Sequence, residues 1–424
     1  MDAHTVIVPA LVLTAVVPTA LLGRWAARRL GQPDVVGEIA LCLVLGAVLA
    51  GRVGWGGAGA TSGPGSAGVG LLSGLGHLGL ALFLVGAAHE IRGGASRLSG
   101  RAVAWVSAGS ALLPMAMGTA LALWVLEYGG PGLRGDAPVP ALVLMLAVSL
   151  AVTAVPVLAG ILKDRGLQDT GTGRLAMACA VTIDAVTWVL LAVAVGLATG
   201  DSGYGRAGAV LTGGLLAVSA LRGLAGAGAV RRFAADRPRL LVPLVALAAY
   251  GAASATGSLG LTDVFGAVLV GLALPADGEK GPFTRAAHTL GAAGRLALPV
   301  LFTVTGTTLA TGPDAVFSWR AIVLGIVLAV FSKLVGGYLG ARAGAQSHHT
   351  ALRLAVLMNT RGLTEIVVLQ TGYSAGILSP GLYLALVIMA LVTTGLSGPL
   401  LWAVDRRARP VPSDAEPTLQ PAER

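Results

Sequence analysis

Residues 175–196 read LAMACAVTIDAVTWVLLAVAVG, an apolar run whose single charged residue, Asp184, lies near its centre. A charged residue at the middle of a membrane-spanning helix costs about 2.5–3.5 kcal/mol on insertion scales, so such a residue usually marks an ion or proton pathway. Three other charged residues, Lys333, Arg361 and Glu365, also lie inside apolar runs, whereas the remaining charges lie in loops, tails or helix ends. This distribution of charge predicts a transport protein.

The composition of the whole chain agrees with a membrane location. The 424 residues are 55% hydrophobic and only 12% charged, and the mean hydropathy is +0.81. A soluble domain of this size needs more charge on its surface. The chain is therefore predicted to be an all-α polytopic protein of the cell membrane, with the lipid bilayer as a partner. The net charge of +9 then reflects membrane topology, and no nucleic-acid partner is expected.

Apolar runs of about 17–25 residues match the hydrocarbon thickness of a bilayer and predict about thirteen transmembrane helices. They cover residues 5–22, 34–50, 70–88, 102–126, 139–162, 174–198, 207–229, 239–256, 259–275, 294–311, 317–341, 351–372 and 380–403. Loops after odd-numbered spans, with the C-terminal tail, hold twenty-one of the counted lysines and arginines, and the opposite loops hold four. Because basic residues concentrate on the cytoplasmic side, we expect the N-terminus outside and the C-terminus inside.

The positions of these apolar runs also predict a single domain followed by a tail. Residues 1–404 would form the transmembrane domain, and residues 405–424 a short, Pro-rich cytoplasmic tail without fixed structure. Within the domain, Gly336 and Gly340 are spaced as one small-residue face, which is expected to allow close packing of two membrane helices.

Two of the predicted spans carry interruptions at membrane depth. The fifth contains Thr153 and Pro156 within SLAVTAVPVL, residues 149–158, and proline opposes a straight helix. The twelfth contains the polar sequence MNTRGLTE, residues 358–365. Irregular backbone at this depth persists only where protein or water surrounds it. Paired broken helices that run in opposite directions predict an inverted-repeat transporter with its site at the midplane; two ordinary helix kinks are the alternative.

Polar residues near these interruptions predict the chemistry of the site. Exchange of a cation for a proton would need one group that holds either ion but not both, and the Asp184 carboxylate has this property. Oxygen ligands for Na⁺ or K⁺ are expected from Thr153, from carbonyls freed by Pro156, and from Thr182. Lys333 is expected to lie near the carboxylate and to balance its charge when the site is vacant. The simplest stoichiometry is one cation per proton, which moves no net charge.

Three further residues are expected to support the second interruption. Arg361 and Glu365 are spaced i,i+4, so they share one helix face and are expected to pair. Asn359 precedes them in the same polar cluster. No Gly-x-Ser-x-Gly or His-Glu-x-x-His motif occurs, so neither enzymatic activity, nor a cofactor, nor a metal site beyond the transported cation is expected.

Short motifs spread over nearly the whole chain resemble the monovalent cation:proton antiporter-2 family. They are QPDVVGEI at 32–39, LFLVG at 82–86, TAVPVLA at 153–159, DTGTGR at 169–174, Asp184 with Trp188, FGAVLVG at 265–271, LPVLF at 298–302, Lys333 and MNTRGLTE at 358–365. The resemblance implies a core domain of crossed, discontinuous helices that moves against a dimerisation domain, in a homodimer. It also implies that cation and proton compete for Asp184.

One departure from the family pattern supports a second reading of the chain. The family usually has a polar residue immediately before the essential aspartate, where this chain has Ile183. A chain with this change could be an antiporter-like scaffold that no longer exchanges ions and acts as a sensor, a resistance factor or a membrane-embedded enzyme. The retained Asp184, Lys333 and Thr153 favour the antiporter over this alternative.

Overall fold

The computed structural model of the chain describes residues 3–30, 32, 34–53, 66–93, 100–168, 170–198, 203–258, 263–278, 280–311 and 317–407. Every regular element within these ranges is an α-helix. The helices are α1 (Ala3–Arg29), α2 (Asp34–Val53), α3 (Ser66–Gly93), α4 (Gly100–Tyr128), α5 (Gly130–Arg134), α6 (Val139–Ala151), α7 (Val155–Asp164), α8 (Gly171–Leu197), α9 (Gly203–Gly226), α10 (Gly228–Asp236), α11 (Pro238–Ser258), α12 (Asp263–Ala273), α13 (Pro282–Thr311), α14 (Trp319–Ala343), α15 (His348–Met358), α16 (Leu363–Ser374) and α17 (Pro380–Arg407).

The length and hydropathy of these helices confirm a polytopic helical membrane fold. Within the described ranges, seven helices are long and apolar enough to cross a membrane, namely α3, α4, α8, α11, α13, α14 and α17. Each predicted span overlaps a helix or a pair of shorter helices in the same order along the chain. The total of thirteen spans and the orientation of the termini stay predictions. Helix α17 continues to Arg407, and most of the predicted tail, residues 408–424, lies outside the described residues.

Polar caps begin two of the helices that carry the candidate site. The Thr170 hydroxyl accepts a hydrogen bond from the Gly173 amide at 3.1 Å at the start of α8. The Ser347 hydroxyl accepts one from the Thr350 amide at 3.2 Å at the start of α15. Because the first amides of a helix have no intrahelical acceptor, these caps fix where the two helices begin.

The helices pack as two groups. Helices α1, α2, α3, α11, α12 and α13 contact one another, and α4, α6, α8, α14, α15 and α17 contact one another. Helix α9 joins the groups because it packs against α8 of one and α12 of the other. The short helices α7 and α16 pack against members of the second group, so both interruptions lie within it.

Within the second group, α4 and α14 approach each other at glycines. A Cβ atom added at Gly336 would lie 2.2 Å from the carbonyl oxygen of Gly109, and one added at Gly340 would lie 2.5 Å from that of Trp105. No real side chain fits at these distances. The small-residue face predicted from Gly336 and Gly340 is therefore confirmed as a helix-packing surface.

Two glycine-to-alanine exchanges should have opposite effects on stability. Gly336→Ala places a methyl group against the backbone of α4 and should lower the free energy of unfolding by about 1–3 kcal/mol. Gly213 on α9 has open space around it, so Gly213→Ala should raise it by up to about 1 kcal/mol. Thermal unfolding of both purified variants in one detergent checks the signs, and equal shifts would contradict the close approach of α4 and α14.

Candidate ion-binding site

The two predicted interruptions are confirmed. Helix α6 ends at Ala151 and α7 begins at Val155, while α15 ends at Met358 and α16 begins at Leu363. Pro156 is the second residue of α7, where its missing N–H is tolerated because first-turn amides lack a helical partner. Each interruption therefore places one C-terminal and one N-terminal helix end inside the protein.

The interrupted segments are hydrogen-bonded to each other. The Ala154 amide donates to the Thr360 carbonyl oxygen at 3.1 Å, and the Thr153 hydroxyl donates to the Met358 carbonyl oxygen at 3.3 Å. All four residues are fully buried. The two breaks thus form one local structure, and the geometry of their crossing within inverted repeats stays a prediction.

Two buried cations occupy the C-terminal end of α6. The last carbonyls of a helix have no intrahelical donor, and they form the negative end of the helix dipole. The Arg361 guanidinium donates to the carbonyl oxygens of Ser149 at 2.9 Å and Leu150 at 2.6 Å. The Lys333 ammonium donates to that of Ala151 at 2.6 Å. Lys333 and Arg361, which the sequence shows as isolated charges in two different predicted spans, therefore bind the same end of α6.

The Lys333 ammonium has a complete set of acceptors. Besides the α6 carbonyl, it donates to the Thr153 hydroxyl at 2.7 Å and to the Ser110 carbonyl oxygen at 3.2 Å. A lysine has three N–H donors, so each has a partner. Among the ion pairs of the described residues, none joins Lys333 to Asp184, and the two charges interact without direct contact.

Arg361 and Glu365 form the predicted ion pair, although Arg361 lies in the interruption before α16 begins at Leu363 and therefore does not share a helix face with Glu365. Their Nη1 and Oε1 atoms lie 2.6 Å apart, and both side chains are fully buried. Glu365 Oε2 and Arg361 Nε have no hydrogen-bond partner among the described residues. Each charge in this pair is therefore compensated mainly by the other, and by the α6 carbonyls in the case of the arginine.

Asp184 is the buried carboxylate of this region that lacks such a partner. Its side chain is 4% exposed, and its Oδ1 atom has no hydrogen-bond partner among the described residues. The backbone amide of Val155, at the N-terminal end of α7, interacts with the carboxylate, and a helix N-terminus favours negative charge. A buried carboxylate oxygen without a donor is satisfied by a proton or a cation.

The two threonines nearest Asp184 lie on different sides of α8. Thr182 is exposed, and its hydroxyl donates to the Ala178 carbonyl oxygen at 2.8 Å. Two residues correspond to a rotation of about 200° around a helix, so Thr182 faces away from the carboxylate. Thr187 follows Asp184 by three residues, shares its side of the helix and is only 3% exposed. The i,i+3 spacing from Asp184 could have identified Thr187 from the sequence, but Thr187 was not among the predicted oxygen ligands.

The remaining predicted support residue lies at the second interruption. The Asn359 amide donates to the Thr393 carbonyl oxygen at 3.3 Å, which connects the break to α17. Gly362 follows with φ of +148°, and a Cβ atom there would lie 2.7 Å from a Val157 methyl carbon. Only glycine adopts this conformation without strain. The part of the chain that the structure describes contains no group of three or more His, Cys, Asp or Glu side chains able to hold a metal ion.

Comparison with known proteins identifies the family that the chain matches. The model of the transmembrane part of sodium/hydrogen exchangers matches residues 17–404. The Na⁺/H⁺ antiporter NhaS4 of Synechocystis is 28% identical over 300 residues, which cover 69% of this chain and 72% of NhaS4. Cation/H⁺ antiporter 19 of Arabidopsis thaliana is 31% identical over 347 residues, which cover 80% of this chain and 42% of the plant protein. The chain thus spans less than half the length of this plant relative.

Yeast and archaeal proteins give two further matches. K⁺/H⁺ antiporter 1 of Saccharomyces cerevisiae is 28% identical over 303 residues, which cover 68% of this chain and 34% of the yeast protein. The structure of the sodium proton antiporter MjNhaP1 of Methanocaldococcus jannaschii at pH 8 superposes with a TM-score of 0.57 and 16% identity. That match covers 95% of this chain and 98% of MjNhaP1. The two chains have similar folds.

Proposed function

Because this chain belongs to the sodium/hydrogen exchanger family, whose members are transporters and not enzymes, we propose that it exchanges a monovalent cation, Na⁺ or K⁺, for H⁺. One observation carries the proposal: the carboxylate of Asp184 is buried beside the interrupted α6–α7 span, and none of the described residues donates a hydrogen bond to its Oδ1 atom. Such a group accepts a proton or a cation, but not both at once.

Competition at Asp184 couples the two ions. When the carboxylate is protonated it is neutral and has no charge with which to hold a cation. When it is ionised, the α7 amide end and a bound cation both stabilise it. The Thr153 hydroxyl and carbonyls at the end of α6 are the proposed oxygen ligands, and Thr187 is better placed than Thr182 to add another. One carboxylate then exchanges one cation for one proton without moving net charge.

Lys333 is proposed to balance the vacant site. Its ammonium holds the Thr153 hydroxyl and the α6 end at 2.7 Å and 2.6 Å. A cation that takes the same hydroxyl oxygen as a ligand must compete with this ammonium. Binding of the cation therefore weakens the hold of Lys333, and release of the cation restores it.

Alternating access is proposed to use the two helix groups. The breaks and Asp184 lie in the group of α4, α6, α8, α14, α15 and α17, and a hydrogen bond from Thr305 to Gln370 joins α16, which packs against this group, to α13 of the other. Gln370 Oε1 on α16 accepts from the Thr305 hydroxyl at 3.2 Å and from the Tyr383 hydroxyl at 2.9 Å. Movement between the groups would exchange such contacts. The proposal includes thirteen spans with crossed discontinuous helices, an outer N-terminus and a homodimer in the cell membrane.

The test is a transport assay on purified protein in liposomes that contain a pH-sensitive dye. The lumen is first made acidic, and external Na⁺ and then K⁺ are added. Each cation that enters must release a proton from the lumen, so cation-dependent alkalinisation of the lumen by the native protein would support exchange, and its ion dependence would choose between Na⁺ and K⁺. Proton movement that depends on neither cation at neutral and mildly alkaline pH would contradict exchange, and the non-transporting scaffold would then be the better account.

Replacement of Lys333 should affect stability and exchange together. Lys333→Met leaves three buried oxygen atoms without their donor, which should cost at least about 1–3 kcal/mol in the free energy of unfolding. The same change should slow exchange because the vacant site loses its positive charge. Thermal unfolding and the liposome assay measure the two effects, with Lys280→Met, at an exposed lysine, as the control. A Lys333→Met protein that matches the control in both assays would contradict the proposed role.

A further inference from the structure

An apolar cavity of about 460 Å³ lies between helices α9 to α12 and the start of α13. Leucine, alanine, valine and phenylalanine side chains line it throughout, among them Leu221, Phe233, Leu241, Ala248 and Phe283. The volume lies in the range of small-molecule sites. Two of the lining leucines, Leu224 and Leu244, are 68% and 48% exposed, so the cavity opens on the surface of the protein.

Helix α10 forms one wall of this cavity. The axis turns by 62° between α9 and α10. Val230 and Phe233 of α10 line the cavity, whereas Arg231 and Arg232 are exposed. A short helix with an apolar face towards the hydrocarbon and arginines on the other face is typical of a helix in the plane of the membrane interface.

Arginines are concentrated in α10 and at the start of α11, next in the sequence to residues that line the cavity. Arg231 and Arg232 of α10 and Arg237 and Arg239 at the start of α11 are all exposed, and the ion pairs of the described residues include none of them. The single carboxylate in this segment is that of Asp236. An excess of uncompensated positive charge therefore borders an apolar cavity, a combination that suits an anionic headgroup attached to an acyl chain.

We propose that this cavity, called here the α10 pocket, binds an anionic phospholipid of the surrounding membrane. The acyl chain lies between α9, α11 and α12, and the phosphate group contacts Arg231 and Arg232. The charge of the mouth selects an anionic lipid over a zwitterionic one. The pocket shares no residue with the site at Asp184, so this inference stands independently of the proposed exchange activity.

Native mass spectrometry of the purified full chain tests the pocket directly. Phosphatidylglycerol and phosphatidylcholine with identical acyl chains are titrated in parallel, and the native protein should bind phosphatidylglycerol more tightly. Arg231→Gln/Arg232→Gln should weaken phosphatidylglycerol binding by about fivefold per arginine and leave phosphatidylcholine binding unchanged. The matched control is Arg101→Gln/Arg342→Gln, which removes the same charge from exposed arginines of α4 and α14 and should bind phosphatidylglycerol as the native protein does.

A second variant separates the pocket from general surface charge. Ala248→Phe fills the cavity and keeps all of the arginines, so it should weaken binding of both lipids. If Ala248→Phe binds both lipids as the native protein does, or if the control pair loses as much affinity as the α10 pair, the pocket is not a lipid site. The same spectra report oligomeric state. A dimer that dissociates in Ala248→Phe, without any preference between the lipids, would assign this surface to a second copy of the chain and overturn the proposal.

Discussion

The Asp184→Asn protein should show no cation-dependent proton movement in liposomes, at a level indistinguishable from liposomes without protein. Asparagine has nearly the same shape as aspartate, but it neither takes up a proton nor carries the charge that holds a cation. Because the native carboxylate is buried and its Oδ1 atom receives no hydrogen bond within the described ranges of the chain, a neutral amide should not destabilise the fold. The Asp184→Asn protein should therefore lose exchange activity and still unfold at or above the unfolding temperature of the native protein.

Two companion variants define what this result means. Asp136→Asn makes the same chemical change at an exposed carboxylate and should exchange ions at the native rate. Asp184→Glu keeps the carboxylate but shifts it by one methylene, so it should retain part of the activity with a weaker apparent affinity for the cation. An Asp184→Asn protein that exchanges ions as fast as Asp136→Asn would place the ion site elsewhere.

Replacement of Arg361 should have the largest effect on stability. Arg361→Met removes the partner of the fully buried Glu365 carboxylate and two donors to the α6 carbonyls. Loss of one partner from a buried ion pair typically costs about 3–5 kcal/mol, because the other charge is left uncompensated in a medium of low dielectric constant. We expect the unfolding temperature to fall sharply, whereas Arg342→Met, at an exposed arginine, should leave it nearly unchanged.

A double-mutant cycle isolates the ion pair from the helix cap. Glu365→Gln alone should destabilise less than Arg361→Met, because the guanidinium keeps its bonds to the α6 carbonyls. Arg361→Met/Glu365→Gln should then be more stable than the sum of the two single losses, since no buried carboxylate is left unpaired. Additive losses in thermal unfolding would contradict a pair that compensates itself and would leave the α6 cap as the sole role of Arg361.

The interruptions were predictable because proline and glycine disfavour a straight helix and are easily recognised within an apolar run. Pro156 indicated the first break, although the structure places the irregular residues just before it, with Pro156 inside the first turn of α7. Polar residues around Gly362 indicated the second. The Arg361–Glu365 pair was predicted from i,i+4 spacing on one helix, and it forms although Arg361 lies in the interruption before α16. These features depend on residues that are close together in the sequence, so the sequence was sufficient to predict them.

The partners of the buried cations were not predictable. Lys333 and Arg361 bind backbone carbonyls of α4 and α6, and every residue has a carbonyl, so the sequence carries no signal for those contacts. The expected closeness of Lys333 and Asp184 was inferred from depth in the membrane, which does not fix the direction of a side chain. Thr182 was chosen for its nearness in sequence, and helical rotation places it on the other side of α8 from Asp184.

The most direct measurement of the central claim is proton release when a cation binds. Purified protein in weakly buffered nanodiscs is mixed with Na⁺ or K⁺, and a pH indicator records the protons that are displaced. Competition at Asp184 predicts release of about one proton per chain, since a cation binds only the ionised carboxylate, and no release from Asp184→Asn. Cation binding without proton release, or equal release from Asp184→Asn, would contradict the claim that both ions compete for this carboxylate.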